Sequence, residues 1–375
     1  MVAVPVILRT GRATLSPVSQ APATRQDKSV PQAAPIAPSG HHHPGAPLVD
    51  RFGRVHRDLR ISLTDRCSLR CTYCMPEQGN EWLARTSILS TDEIVRVATV
   101  AAASGITTFR LTGGEPLLRT DIIDVVRRLA AIEGADGPVE IAMTTNGIRL
   151  DAVLPGLIEA GVNRLNISID TLDRDRFRAL TRRDRLDDVR AGIAAAAASG
   201  LRPLKLNAVA MRGINDDELV DLVAFALDHG AEMRFIEQMP LDAGHTWDRA
   251  RMVTREEILA ALSTRWHLEP VPGRGGAPAE RFLIDGGPAA VGVIASVTAP
   301  FCGACDRLRL TADGQLRNCL FSNDEYDLMP LLRAGADDVA IDALLHECIA
   351  GKLPGHAIDD PSFLQPARGM NAIGG

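Results

Sequence analysis

The sequence predicts an α/β protein, because short strand-like runs and helical stretches alternate six times between Arg57 and about Ser263. Such a series of βα units forms a parallel sheet with right-handed crossovers. After a Gly- and Pro-rich break at Pro270 to Pro278 the pattern changes to paired strands, a hairpin and two helices. We therefore expect a partial, six-unit barrel of the TIM type, with a smaller C-terminal α+β domain covering its open side.

Six strands are predicted for the barrel: Leu59–Leu63, Thr107–Leu111, Glu140–Thr144, Arg164–Ile169, Leu204–Val209 and Glu232–Glu237. Helix starts support this order. Ser90 and Glu93 form a capping-box pattern for the first helix, Thr120 is the expected cap of the second, and Asn215-Asp216 opens the fifth. A full barrel needs two further strands before the second cysteine group, and the sequence pattern does not show them. One side of the barrel is thus expected to be open.

The C-terminal segment has its own elements. Strands at Arg281–Ile284 and Val291–Val297 are joined at Gly286-Gly287, and Asp313-Gly314 marks a hairpin after Arg307-Leu308-Arg309-Leu310. Helices follow near Tyr326–Ala334 and Asp337–Ile349. Residues 1–50 are rich in Pro, Ala, Ser and Gln, which predicts a disordered leader. The expected division is therefore a leader at 1–50, a barrel at 51–270 and a C-terminal domain at 271–375.

Composition excludes several classes of function. The net charge is −6, so no global basic field attracts nucleic acid or an anionic membrane. The apolar runs are too short for a transmembrane helix, and the N-terminus lacks the compact apolar segment of a secretory signal. Clustered cysteines outside a small secreted fold indicate reduced thiols. We therefore expect a cytoplasmic protein that binds neither nucleic acid nor membranes.

Six of the seven cysteines form two spaced sets. The front set is Cys67-x3-Cys71-x2-Cys74 and the back set is Cys302-x2-Cys305-x13-Cys319. Each set offers three thiolates, one fewer than a closed zinc or iron–sulfur site uses, so a small molecule could take the remaining position. Two such open sites suggest catalysis. The alternative is a three-cysteine zinc site with a distant fourth ligand.

The front set, with Tyr73 before its last cysteine and Gly113-Gly114-Glu115-Pro116 after the second strand, resembles the motif of the radical S-adenosylmethionine (SAM) enzymes. The resemblance implies that the three thiolates hold a 4Fe–4S cluster whose fourth iron binds SAM. An electron delivered there cleaves SAM to a 5′-deoxyadenosyl radical. Further SAM contacts are implied at Tyr73, Gly114, Glu115, Ser168 and Met239. Taken alone, Ser168 would be a strand-end hydroxyl and Met239 a core residue.

The back set encloses Arg307-Leu308-Arg309 and resembles the second cluster of the GTP 3′,8-cyclase family, which begins molybdenum cofactor biosynthesis. The similarity runs from about Arg51 to Gly374-Gly375. It implies catalytic roles for Arg307, Arg309, Gly374 and Gly375. The implied GTP contacts are Arg60, Arg110, Thr144, Lys205, Arg307, Leu308 and Arg309. With a strand period of two, Arg307 and Arg309 share a face that suits phosphate recognition.

This resemblance implies a lyase with two 4Fe–4S clusters and SAM as cofactors. The adenosyl radical removes the C3′ hydrogen of GTP, and the C3′ radical attacks C8. Reduction of the cyclised radical by one electron and its protonation then give (8S)-3′,8-cyclo-7,8-dihydroguanosine 5′-triphosphate. The implied partners are GTP, an electron donor of the flavodoxin or ferredoxin type, the next enzyme of molybdopterin synthesis and a second copy of the chain in a homodimer.

Two other classes of function remain open at this point. A peptide-modifying radical SAM enzyme could also carry an auxiliary cluster, but such domains usually have more than three additional cysteines. An iron–sulfur electron carrier or a zinc-binding interaction protein would use the cysteines without catalysis. That second class leaves the six-unit barrel and the loop at Glu115 without a purpose.

Overall fold

The computed structural model describes residues 43–78, 81–242, 244–360 and 363–374, so most of the predicted leader lies outside the described residues. The strands are β1 (Asp58–Ser62), β2 (Thr108–Thr112), β3 (Glu133–Gly134), β4 (Gly137–Pro138), β5 (Glu140–Thr145), β6 (Arg164–Ser168), β7 (Leu204–Ala210), β8 (Glu232–Glu237), β9 (Leu268–Pro270), β10 (Glu280–Ile284), β11 (Ala290–Ile294), β12 (Arg307–Leu310), β13 (Gln315–Arg317) and β14 (Tyr326–Asp327). The helices are α1 (Thr91–Ala103), α2 (Ile122–Ala130), α3 (Leu150–Ala160), α4 (Arg174–Thr181), α5 (Leu186–Ala198), α6 (Leu219–Asp228), α7 (Arg255–Leu262), α8 (Met329–Arg333), α9 (Asp338–Ala350) and α10 (Met370–Ile373). None of these helices is long and apolar enough to cross a membrane.

One large sheet organises the protein, in the order β14-β13-β12-β1-β2-β5-β6-β7-β8-β11-β10-β9. All neighbours from β12 to β11 pair in parallel, so the six predicted barrel strands and their order are confirmed. The C-terminal segment supplies the two further parallel strands. It places β12 beside β1 and β11 beside β8, whereas β9, β10, β13 and β14 pair in antiparallel fashion.

The sheet has an apolar face under the helices and a polar opposite face. Leu59, Ile61, Phe109 and Leu111 are fully buried in the hydrophobic core. The residues that alternate with them, such as Arg60, point to the other face, because successive strand side chains point in opposite directions. The polar face is therefore continuous across the parallel strands and is available for a site.

Two of the five predicted helix starts hold, those at Ser90 and Asp337, and three need correction. The capping box of α1 is confirmed, since the Ser90 side chain accepts from the Glu93 N–H and the Glu93 carboxylate accepts from the Ser90 N–H. Thr120 does not cap α2, whose N-cap is Asp121. The Asp121 carboxylate bonds instead to the side chains of Arg119 and Thr91, which compete for it.

The other two corrections concern α6 and α8. Helix α6 begins at Leu219, because the Asn215 side chain donates to the carbonyls of Asp170 and Val209 and holds a turn there. Helix α8 begins at Met329, because the residues predicted as its first turn pair with β13 as strand β14.

The domain division remains a prediction. Strands from both sides of the proposed boundary at residue 270 belong to the same sheet. On the leader side, Leu48 is fully buried and the Asp50 side chain is enclosed as well.

Candidate active site

The front cysteines lie in the loop after β1, at the carboxyl edge of the parallel strands where barrel enzymes build their sites. They share one cavity with most of the predicted cofactor residues. Its lining includes Cys67, Cys71, Cys74, Tyr73, Gly114, Glu115 and Ser168, together with the predicted substrate residue Thr144. Met239, which follows β8, lies outside the described lining of this cavity, and its role remains a prediction.

The three front cysteines line the same cavity as free thiols. The main-chain N–H of Leu69 (3.5 Å) and the side-chain amide of Asn146 (3.8 Å) approach the Cys67 sulfur. Burial raises the pKa of Cys67 to about 11 and that of Cys74 to about 12. Metal coordination removes such thiol protons, and N–H···S bonds tune iron–sulfur clusters. Three thiols with N–H donors around them fit an iron–sulfur cluster with three protein ligands.

The alternative of a zinc ion bound by cysteines requires several ligands around one point. Across the described residues, no group of three or more His, Cys, Asp or Glu side chains is placed to hold a single metal ion.

Glu115 is buried and held from several directions. Its Oε1 accepts from the Thr145 hydroxyl (2.7 Å) and the Leu117 N–H (3.1 Å), and its Oε2 accepts from the Asn146 N–H (2.7 Å). Burial raises the pKa of Glu115 to about 7, although these hydrogen bonds oppose the shift. The carboxylate is thus fixed at the cavity wall beside the cysteines. Among the residues that the structure describes, one donor is bonded to Oε2, so this oxygen can also accept from a ligand.

The two glycines before Glu115 are required by the packing of the chain against itself. Gly113 has φ +141°, and a Cβ there would lie 2.5 Å from the Thr64 carbonyl oxygen. A Cβ on Gly114 would collide with the Arg66 carbonyl. The Gly114 N–H donates to the Thr64 carbonyl, and the Glu115 N–H donates to the Arg66 carbonyl. Each of these bonds is 2.7 Å long. These glycines therefore fasten the Glu115 loop to the cysteine loop.

Asp170 is a site residue that the sequence analysis missed. Its Oδ2 accepts from the Tyr73 hydroxyl (2.8 Å) and its Oδ1 from the Val209 N–H (2.9 Å). Burial raises the pKa of Asp170 to about 6. The bond fixes Tyr73, and with it the cysteine loop, to the ends of β6 and β7. The available signal was an acidic residue two positions after Ser168 at a strand end.

The back cysteines lie at the opposite edge of the strands. Cys302 and Cys305 precede β12, which runs parallel to β1, and Cys319 follows β13, which runs back. Burial, followed by the charges of Cys319 and Cys305, raises the pKa of Cys302 to about 11, so the three sulfurs are neighbours. Burial opposes ionisation of Cys305, but Arg307 and Lys352 lower its pKa to about 7. This set also fits a cluster with three protein ligands.

Between the two cysteine sets, the polar face of the sheet is lined by cations. Strand register places Arg309, Arg60 and Arg110 side by side on β12, β1 and β2. The cations of this face are Arg60, Arg110, Arg164, Lys205, Arg234, Arg307 and Arg309, and they outnumber its carboxylates, Asp58, Glu140 and Glu232. We call this surface the cationic face. Thr144 and Lys205 continue it through Asn166.

The cationic face has unused donors. Among the described residues, the buried Nε atoms of Arg60 and Arg110 have no hydrogen-bond partner. Burial and the charge of Arg309 lower the pKa of Arg60, because several cations are crowded together. Such a surface favours a polyanionic ligand. Leu308 differs from its neighbours, since its side chain is fully buried in the core and only its main chain borders this face.

Arg164 and Arg234 are two further residues that the sequence analysis missed. Both follow the period-two alternation of β6 and β8, which was the available signal.

The C-terminal segment reaches both sites. Met370 and Asn371 of α10 line the front cavity, and the Asn371 side chain donates to the Asp65 carbonyl (3.1 Å). The Arg309 guanidinium donates to the Gly374 carbonyl, which joins this segment to the cationic face. Gly374 has φ +70°, and a Cβ there would lie 2.7 Å from the Ser62 hydroxyl. Gly375 lies outside the described residues.

Two family models match the chain. The model described as Radical SAM superfamily matches residues 61–226, and the one described as Molybdenum Cofactor Synthesis C matches residues 231–358. Curated relatives include a GTP 3′,8-cyclase of Streptomyces coelicolor, 55% identical over 88% of this chain and 96% of its own length. GTP 3′,8-cyclase 2 of Mycobacterium tuberculosis is 51% identical over 88% of this chain and 92% of its own length. These relatives do not favour the peptide-modifying alternative.

Solved structures agree on the fold. Streptococcus suis SuiB bound to S-adenosylmethionine has a TM-score of 0.56 at 14% identity, covering 85% of this chain and 78% of that one. At this identity the likeness concerns the fold alone, and it confirms the predicted partial barrel. Together with the two family models and the closely similar relatives, these findings show that the chain belongs to the GTP 3′,8-cyclase family of the radical SAM superfamily.

Proposed function

We propose that this chain is a lyase that converts GTP to (8S)-3′,8-cyclo-7,8-dihydroguanosine 5′-triphosphate, the first step of molybdenum cofactor biosynthesis. The observation that carries this proposal is the cationic face, which lies between two sets of three cysteines. A triphosphate is the kind of ligand that such a surface binds. Family membership supports the same substrate and reaction.

The proposed cofactors are SAM and two 4Fe–4S clusters, one on each cysteine set. The front cluster with SAM supplies a 5′-deoxyadenosyl radical when an electron is delivered. Tyr73, Gly114, Glu115, Ser168 and Met239 are the proposed SAM contacts. All except Met239 line the cavity that contains the front cysteines.

The chain's own residues supply binding, orientation and exclusion of water. Arg60, Arg110, Lys205, Arg307 and Arg309 hold the triphosphate, and Thr144 together with the Leu308 main chain borders the nucleotide. Ring closure between C3′ and C8 is intramolecular, so its rate depends on how well the nucleotide is aligned. Met370 and Asn371 of the C-terminal segment form part of the wall of the front cavity.

The direct test is anaerobic reconstitution of the protein with iron, sulfide, a reductant, SAM and GTP, followed by mass spectrometry of the nucleotides. We expect 5′-deoxyadenosine and a cyclised nucleotide isomeric with GTP. The control omits SAM and should yield neither. Formation of 5′-deoxyadenosine with GTP recovered unchanged would refute the proposed reaction.

Further partners belong to the same proposal. We expect a flavodoxin- or ferredoxin-type electron donor, transfer of the product to the next enzyme of molybdopterin synthesis, a homodimer, and a cytoplasmic location.

Arg309 offers a test of phosphate binding. Replacing Arg309 with Ala should weaken GTP binding by about 1.5–3 kcal/mol, roughly 10- to 150-fold in Kd, because a buried charge-assisted hydrogen bond is lost. Guanosine, which lacks phosphates, should bind almost as before. Isothermal titration calorimetry with both ligands measures the difference. Arg265→Ala removes an exposed arginine elsewhere on the protein and serves as the control. Equal weakening for GTP and guanosine would exclude the phosphate role.

Lys205 predicts a pH dependence of GTP binding. Burial, followed by the charges of Arg234 and Arg164, lowers the pKa of Lys205 to about 8. The ammonium is charged below that pH and neutral above it, so GTP affinity should fall as pH rises through about 8. Lys205→Arg should remove this inflection, because arginine stays protonated. Identical pH profiles for wild type and Lys205→Arg would count against the assignment.

A further inference from the structure

Lys352 is a buried cation behind the back cysteines, with only 3% of its surface exposed. The chain has just three lysines, Lys28, Lys205 and Lys352. The Lys352 ammonium donates to the carbonyl of Arg307 (2.8 Å) and to the carbonyl of Asn318 (2.7 Å). Arg307 lies two residues after Cys305, and Asn318 directly precedes Cys319. One side chain therefore connects the main chains of two cysteine-bearing segments.

Arg54 holds the main chain of the third cysteine-bearing segment, which contains Cys302. Its Nη1 donates to the carbonyl of Cys302 itself (2.7 Å), and its Nη2 to the carbonyl of Leu353 (2.8 Å), the residue after Lys352. Its Nε donates to the Asp50 carboxylate (2.5 Å). Arg54 and Lys352, which we call the buried cation pair, thus hold a carbonyl at, or within two residues of, each of the three back cysteines.

The buried positive charge of Lys352 is compensated when the neighbouring cysteines carry negative charge. Asp50 neutralises Arg54. Burial and the nearby Lys352 lower the pKa of His56 to about 3, so that imidazole is neutral. Burial disfavours the charged Lys352, as do Arg54 and Arg307, whereas Cys305 and Cys319 as thiolates favour it. A buried ammonium is costly without a compensating anion, and thiolates that ligate a cluster provide one.

We propose that the buried cation pair positions the ligands of the back cluster and balances its charge. The pair fixes the three cysteine-bearing segments before the cluster binds, and its net positive charge makes the bound cluster easier to reduce. Reduction adds one electron to the cluster, and the nearby ammonium stabilises that added negative charge. Arg54 and Lys352 are positioning residues. This inference rests on the second cluster of the proposed function.

The test uses the full chain with Cys67, Cys71 and Cys74 replaced by Ala, so that only the back site binds iron. After anaerobic reconstitution, iron per chain is measured, and the midpoint potential is followed by electron paramagnetic resonance during a redox titration. Lys352→Met, which removes both hydrogen bonds and the charge, should lose most of the iron. Lys352→Gln keeps N–H donors without the charge, so it should retain iron at a lower midpoint potential.

Leu353→Ala is the matched control, because Leu353 is 53% exposed and its contact with Arg54 is made by the main-chain carbonyl. It should equal the parent in iron content and potential. Parent-like iron and potential in both Lys352 variants would overturn the inference while leaving the second cluster in place. Loss of helical circular dichroism in apo Lys352→Met would also overturn it, since Lys352 would then support the general fold. If the parent itself binds no iron, the second cluster is wrong and the inference falls with it.

Discussion

Replacing Cys302, Cys305 and Cys319 together with Ser should halve the iron content, preserve reductive cleavage of SAM and abolish cyclisation of GTP. Two cubanes hold about eight irons per chain, so about four should remain. The front cluster should survive because the two cysteine sets lie at opposite edges of the strands. Four residue steps along β1 alone span about 13 Å. Cyclisation should stop because the nucleotide loses one of the two sites between which it is held.

Iron analysis, the yield of 5′-deoxyadenosine and mass spectrometry of the nucleotide measure these three outcomes. Cys348→Ala provides the matched control, since Cys348 is a fully buried core residue outside both sets. That variant should keep all the iron and the cyclisation activity. Loss of all iron and all SAM cleavage in the triple variant would show that the two sets do not hold separate clusters.

Deleting Gly374 and Gly375 should leave iron content, folding and SAM cleavage intact but reduce the yield of cyclised GTP by about 100-fold or more. A misplacement of about 1 Å in a reacting group can cost that much. The deletion removes the carbonyl that Arg309 holds, and so releases a guanidinium of the cationic face. It keeps Asn371, whose main-chain N–H approaches the Cys74 sulfur and whose amide holds Asp65. The front site should therefore stay assembled.

The deletion is tested by measuring both products of one reaction, 5′-deoxyadenosine and the cyclised nucleotide. Gly374→Ala should cause a smaller loss, because a side chain at φ +70° is strained and approaches the Ser62 hydroxyl. Leu364→Ala is the control, since it changes an exposed side chain of the same segment. An unimpaired yield from the truncated enzyme would mean that the glycines have no role in the reaction.

Local patterns in the sequence determined much of this protein. The six barrel strands begin and end within about one residue of their predicted bounds, because strand periodicity and helix caps are local properties. The Ser90–Glu93 capping box is one such signal. The spacing of the cysteines indicated two sites with three thiols each, since the front ligands share one loop and the back ligands are joined by one hairpin.

Only the tertiary structure decided which distant segments meet. Strands β11 and β12 flank the six barrel strands on opposite sides. The pairing of β12 with β1 sets Arg309 beside Arg60 across some 250 residues of sequence. Tertiary structure also brings Asp170 to the Tyr73 hydroxyl and Lys352 to the main chain near the back cysteines. These contacts depend on strand register and chain crossings, which are fixed by burial of the whole core. A local period shows which face a side chain occupies, whereas the packed core determines its neighbours on that face.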